Sequence, residues 1–163
     1  MPEQPAVEPV MMLRSFLTVG SGYMLHIMIF FGIALALGYG FFPEFAAYMD
    51  LPAEQQKDLN IADAIPRAMF LILVVLHSIA CLGIGWYVHR TAPFSPFPHA
   101  IFLTILLFLT YLQMAMGDPP EKKAMSIIYM IAFPISVLTG AKIMENRSWK
   151  NEPDTAQPND AEQ

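Results

Sequence analysis

Two histidines stand out because each lies near the middle of a long stretch without a charged residue. His26 lies within residues 15–43 and His77 within residues 68–89. If both stretches are helices that cross a bilayer, the two imidazoles lie near the midpoints of their helices. Neutral imidazole is a common ligand of haem iron, and the core of a helix bundle is a common place for such a cofactor. His26 and His77 could therefore bind one b-type haem.

A purely structural role is the alternative, and polar residues in membrane helices often serve only as packing contacts. In that case each histidine is neutral and forms a hydrogen bond to another helix. The predicted partners are Ser78, Tyr23, Thr104 and Tyr129. The sequence offers no second histidine pair for a second haem, which argues against a transmembrane electron relay. We therefore predict no cofactor, with haem b on His26 and His77 as the alternative.

Cys81 lies one helical turn after His77 and on the same helix face. A soft metal ion could bridge the two side chains, but the sequence shows no third or fourth ligand. We therefore predict no metal site and interpret Cys81 as a small buried thiol beside a hydrogen-bonded histidine. Because Cys81 is the only cysteine, an intramolecular disulfide is excluded.

Catalytic signatures are absent from the sequence: it has no H-E-x-x-H, G-x-S-x-G, P-loop or C-x-x-C motif. The interior of each apolar stretch also lacks Asp, Glu, Lys and Arg. A charge at the centre of a membrane helix costs about 2.5–3.5 kcal/mol, so chains keep one there mainly for function. This argues against a proton pump or a cation-coupled transporter. The sequence leaves enzyme activity undecided but does not favour it.

The elements that must position these residues are four charge-free stretches. They cover residues 15–43, 68–89, 91–117 and 124–141, and the chain is 55% hydrophobic but only 14% charged. A hydrocarbon layer about 30 Å thick is crossed by roughly 20 mostly apolar residues in a helix. The sequence therefore predicts an all-α, polytopic membrane protein with four transmembrane helices in an antiparallel bundle.

Prolines and charges set the predicted boundaries. We predict a disordered lead at residues 1–12, a transmembrane domain at 13–144 and a disordered tail at 145–163. The predicted spans are 15–42, 67–89, 99–117 and 124–144. A short surface helix is expected at 52–59, with proline at its first position, and Pro134 is expected to kink the fourth span.

Small residues four apart recur in the spans and predict close helix packing. Span one carries Thr18/Gly22, Gly32/Ala36/Gly40 and Ala34/Gly38, span two carries His77/Cys81/Gly85, and span four carries Ala132/Ser136/Gly140. Such spacing is common in membrane helices, so it supports packing without identifying a partner.

The distribution of Lys and Arg predicts the orientation. With four spans, both termini and the connector at residues 90–99 share one side of the membrane. That side carries Arg14, Arg90, Lys142, Arg147 and Lys150, whereas the other carries Lys57, Arg67, Lys122 and Lys123. The long acidic loop after span one is also the kind of segment that is readily translocated. We predict that both termini are cytoplasmic, and that the first span is a retained anchor rather than a signal peptide, because Glu3 and Glu8 precede it.

Several short motifs resemble those of small four-span bacterial inner-membrane proteins that have no assigned activity. The motifs are Leu13-Arg14, Gly22-Tyr23, Phe42-Pro43, Gly85-Trp86-Tyr87, Pro98-His99-Ala100, Pro134 and Gly140. The resemblance covers about residues 12–142 and implies placement in a bacterial-type inner membrane. His26 and His77 are not part of this pattern.

The function expected from the sequence is that of a structural or accessory membrane protein. The alternatives are a single-haem cytochrome and, as an oligomer, a carrier of a small neutral solute. The expected partners are the lipid bilayer and an unidentified membrane protein. Nucleic acid is not expected because the chain has no basic run, and the oligomeric state is left open.

Overall fold

The computed structural model describes residues 9–58, 66–117 and 120–150, and every regular element in these ranges is an α-helix. The elements are α1 (Pro9–Phe41), α2 (Pro43–Met49), α3 (Ala53–Asp58), α4 (Arg67–Thr91), α5 (Pro96–Gly117) and α6 (Pro120–Lys150). Helices α1, α4, α5 and α6 are long and apolar enough to cross a membrane. The predicted all-α bundle with four transmembrane helices is confirmed.

The long helices extend beyond the charge-free stretches that predicted them. Residues 9–12, assigned above to the lead, form the first turn of α1, and residues 145–150, assigned to the tail, continue α6. Proline is the first residue of α1, α5 and α6, where its fixed φ suits a helix start and its missing N–H would have no partner. Charged residues end the predicted spans because they leave the hydrocarbon, but they do not end the helices. The rest of the predicted lead and tail lies outside the described residues.

Helix α4 is the centre of the bundle. It packs against α1, α5 and α6, and its contact with α6 is the most extensive in the molecule. The main core contains residues from all four long helices, among them Val19, Ile84, Leu103 and Val137. A smaller core at the other end of α1 joins α2 to α4. Helices that are distant in sequence therefore hold the bundle together.

The described part of the connection between α1 and α4, residues 42–58, contains two short helices. The expected surface helix at 52–59 is observed as α3, and residue 59 lies outside the described residues. The Gln56 side-chain amide donates to the backbone carbonyl oxygens of Leu51 at 2.8 Å, Met49 at 3.2 Å and Tyr48 at 3.3 Å. These carbonyls end α2 or follow it, where few intrahelical donors remain, although the Tyr48 carbonyl oxygen also accepts the Leu51 N–H at 3.2 Å. Gln56 therefore ties α3 to the end of α2.

Two glycines allow α4 and α6 to touch backbone to backbone. A Cβ atom at Gly85 would collide with the carbonyl oxygen of Val137 on α6, and a Cβ atom at Gly140 would collide with the carbonyl oxygen of Leu82 on α4. The contact is reciprocal, and any larger residue would force the helices apart. The small residues that were predicted to support packing in spans two and four do so at this contact between α4 and α6.

The small-residue stripe of span one behaves differently. Gly32, Ala36 and Gly40 are exposed, and a Cβ at either glycine would meet nothing within 4 Å. The other two predicted pairs of span one do support packing: Gly22 faces Val88 and Leu103, and Gly38 faces the ring of Phe45. The stripe Gly32/Ala36/Gly40 thus lies on the lipid-facing surface of α1.

Candidate functional site

The polar residues of the bundle core lie four apart in the sequence, so that those of each helix share one buried face. On α1, Thr18, Gly22 and His26 are four residues apart and all buried; on α4, His77 and Cys81 repeat the same interval. Residues four apart share one side of an α-helix. Packing of α1 on α4 therefore brings His26 to His77 and Cys81.

A continuous hydrogen-bonded chain joins three helices at this point. His26 Nε2 lies 2.9 Å from the hydroxyl oxygen of Tyr111 on α5. His26 Nδ1 lies 3.0 Å from His77 Nε2 on α4. All three side chains are buried, with 3%, 0% and 5% of His26, His77 and Tyr111 exposed, so neither water nor lipid reaches the chain. The two histidines act as one unit with Tyr111.

Cys81 completes the cluster. Its Sγ lies 3.6 Å from His26 Nδ1, and the residue is fully buried. The potential ligand atoms of His26, His77 and Cys81 all lie within 4.8 Å of one another. His26 is therefore a third candidate ligand beside His77 and Cys81. The sequence did not show that His26 lies next to Cys81. We refer to His26, His77, Cys81 and Tyr111 as the polar cluster.

Aromatic rings enclose the polar cluster. Phe133 of α6 lies edge-on to His77 with a centroid distance of 4.5 Å, and Phe30 of α1 lies 5.2 Å from the same imidazole. Tyr129 stacks on Phe133 at 5.0 Å. These rings fill the space that a substrate or a chain of water would need.

One polar atom of the cluster has no partner. His77 Nδ1 is buried and forms no hydrogen bond within the described residues. If His77 Nε2–H donates to His26 Nδ1, then His26 Nε2–H donates to Tyr111 and His77 Nδ1 is a bare lone pair. With the opposite tautomers the Tyr111 hydroxyl donates to His26, and His77 Nδ1–H is a donor without an acceptor. Either arrangement leaves this nitrogen unsatisfied.

The structure brings the two predicted site residues, His26 and His77, into direct contact. Haem iron held by two imidazoles would lie about 2 Å from each nitrogen, which sets the nitrogens about 4 Å apart with the macrocycle between the rings. Here the nitrogens are 3.0 Å apart and the ring centroids 4.6 Å apart. Haem ligation by both residues would require the rings to separate and the surrounding aromatic side chains to move.

The hydrogen-bond partners expected for the histidines differ from those observed. Tyr23 pairs with Thr110 at 3.1 Å, and Thr104 donates to the carbonyl oxygen of Ala100 within its own helix at 2.8 Å. Tyr111 takes the role that these residues were expected to have. In the sequence, Tyr111 is a polar residue inside span three, four residues after Leu107. The structure shows that both residues lie on the buried face of α5.

No protein-family model matches the chain, and no curated protein or solved structure was found to be similar to it. The resemblance to small four-span bacterial membrane proteins therefore stays a prediction. Functional conclusions rest on the geometry of this molecule.

Proposed function

We propose that this chain is a non-catalytic accessory protein of the membrane that docks a transmembrane helix of another membrane protein. The observation that carries the proposal is the exposed stripe Gly32/Ala36/Gly40 on α1. Small residues four apart let helix backbones approach closely in lipid, and none of the residues that the structure describes covers this stripe.

The organisation of the chain supports a role exercised within the bilayer. Outside the four long helices, the described residues comprise only the short α2–α3 connection, Pro66 and the turn between α4 and α5. In the described part of the chain, most of the surface on which another protein could act is therefore the surface of the four long helices. The bundle centre is filled by side chains such as Phe133, Leu103 and Leu107, each with 0% exposed. A filled centre supports docking over solute transport through a single copy.

A photo-crosslinking residue at Ala36 tests the docking surface. We expect crosslinks from Ala36 to a different membrane protein, and none to that protein from Ile79, a lipid-exposed position on α4. Replacement of Gly32 and Gly40 by leucine should abolish the crosslink but preserve the bundle, because both positions face open space. Crosslinks only to lipid, or only between two copies of this chain, would contradict an accessory role.

We also propose a bacterial-type inner membrane, with both termini in the cytoplasm. The side that carries the termini has five Lys and Arg residues and the opposite side has four, and the loop between α1 and α4 is long and acidic. Fusions to alkaline phosphatase and green fluorescent protein measure the orientation. We expect fluorescence from fusions at residue 163 and phosphatase activity from fusions within the loop at residues 42–66; the reverse pattern would overturn the assignment.

A further inference from the structure

We propose that the polar cluster is a binding site for a single monovalent copper ion, held by His26, His77 and Cys81. The inference goes beyond the accessory role and does not depend on it. It rests on the convergence of three ligands that favour soft and borderline metals, two imidazoles and one thiol, at the centre of the bundle.

The distances between the ligand atoms fit one bound ion. With metal–nitrogen bonds of about 2.0–2.1 Å and a metal–sulfur bond of about 2.3 Å, trigonal or tetrahedral geometry sets two nitrogens about 3.3–3.5 Å apart and nitrogen and sulfur about 3.6–3.8 Å apart. The observed separations are 3.0 Å between His77 Nε2 and His26 Nδ1, and 3.6 Å between His26 Nδ1 and Cys81 Sγ. The third pair, His77 and Cys81, has its ligand atoms within 4.8 Å of each other. Binding therefore needs the two rings to separate by a few tenths of an ångström and His77 and Cys81 to approach by up to about 1 Å.

The surroundings of His26 match those of a metal-bound imidazole. When Nδ1 of a histidine binds a metal, its Nε2–H donates to a nearby oxygen that fixes the ring orientation. In this protein the Tyr111 hydroxyl oxygen lies 2.9 Å from His26 Nε2 and can accept that hydrogen bond. Tyr111 is therefore a positioning residue for the site.

In the copper-bound state His77 Nε2 faces the ion, so His77 Nδ1 carries the ring proton. This nitrogen is buried and has no hydrogen-bond partner among the described residues, so His77, unlike His26, has no oxygen that fixes its ring orientation.

The charge balance of the site favours a monovalent ion over a divalent one. Binding releases the proton of the Cys81 thiol, so that one thiolate and one monovalent copper ion form a neutral unit. A divalent ion such as zinc would leave one positive charge in the core, and the buried residues of the described chain include no carboxylate to balance it. Three soft or borderline ligands also satisfy monovalent copper without a fourth.

Competition with a chromophoric copper(I) chelator tests the site on the full-length protein in lipid nanodiscs under anaerobic conditions. We expect one copper ion per chain and weaker binding of zinc. Cys81→Ser should weaken copper binding by about 100-fold or more, since loss of an outer partner alone costs 10–100-fold. Tyr111→Phe should weaken it by about 10-fold. His99→Gln is the matched control, because His99 is also buried but lies outside the polar cluster, where it contacts the Ser95 carbonyl oxygen and the Phe94 ring.

X-ray absorption of the copper-loaded wild-type protein provides a readout that does not depend on the folding of any variant. We expect one sulfur at about 2.3 Å and two nitrogens at about 2.0 Å. A spectrum without sulfur, unchanged binding by a folded Cys81→Ser variant, or tighter binding of zinc than of copper would each overturn the proposal.

Discussion

Replacing Gly85 by alanine is expected to lower the free energy of unfolding by about 3 kcal/mol. The new methyl group would lie against the backbone of Val137 and Ala141, which cannot rotate away as a flexible side chain could. Overpacking of a close-packed interior typically costs 1–3 kcal/mol, and here the whole of α6 must move. Titration with a denaturing detergent measures the change.

Gly83→Ala is the matched control on the same helix. Gly83 is exposed and a Cβ there would meet nothing within 4 Å, so the higher helix propensity of alanine should leave stability unchanged or slightly higher. Gly140→Ala should resemble Gly85→Ala, because its methyl group would collide with the Leu82 backbone. Equal stabilities of the Gly85→Ala and Gly83→Ala variants would show that α4 and α6 are not in backbone contact.

Replacing His26 by leucine is expected to destabilise the bundle by about 2–4 kcal/mol. The substitution leaves His77 Nε2 and the Tyr111 hydroxyl buried without the hydrogen-bond partner each has in the structure. A buried polar group without a partner costs about 1–3 kcal/mol. The same detergent titration measures the loss.

A double-mutant cycle separates this effect from simple loss of packing. Tyr111→Phe removes the stranded hydroxyl, so it should be less destabilising in the His26→Leu background than in the wild type. Thr139→Val is the control, because Thr139 is exposed and bonds only to the Ile135 carbonyl oxygen of its own helix. Additive effects of His26→Leu and Tyr111→Phe would show that the two residues are not coupled.

The sequence predicts the spans well because crossing a bilayer depends on a local property, the absence of charge over about 20 residues. It also indicates that His26 and His77 share a depth. It could not identify Tyr111 as their partner, since the rotation of α5 about its axis depends on packing with the other helices. The sequence also does not show which glycines lie at helix contacts, because that too depends on how each helix is rotated in the bundle. Gly85 and Gly40 both belong to stripes of small residues, yet only Gly85 lies at a helix contact.

The residues of the hydrogen-bonded chain in the polar cluster are synthesised at different times. His26 is synthesised 51 residues before His77 and 85 residues before Tyr111. At about 5–20 residues per second, His26 leaves the ribosome roughly 3–10 s before its first partner and several seconds more before its second. Throughout that interval the nascent first span contains an unpaired imidazole. The apolar residues of the first span therefore carry the desolvation cost of this group until the later helices supply its partners.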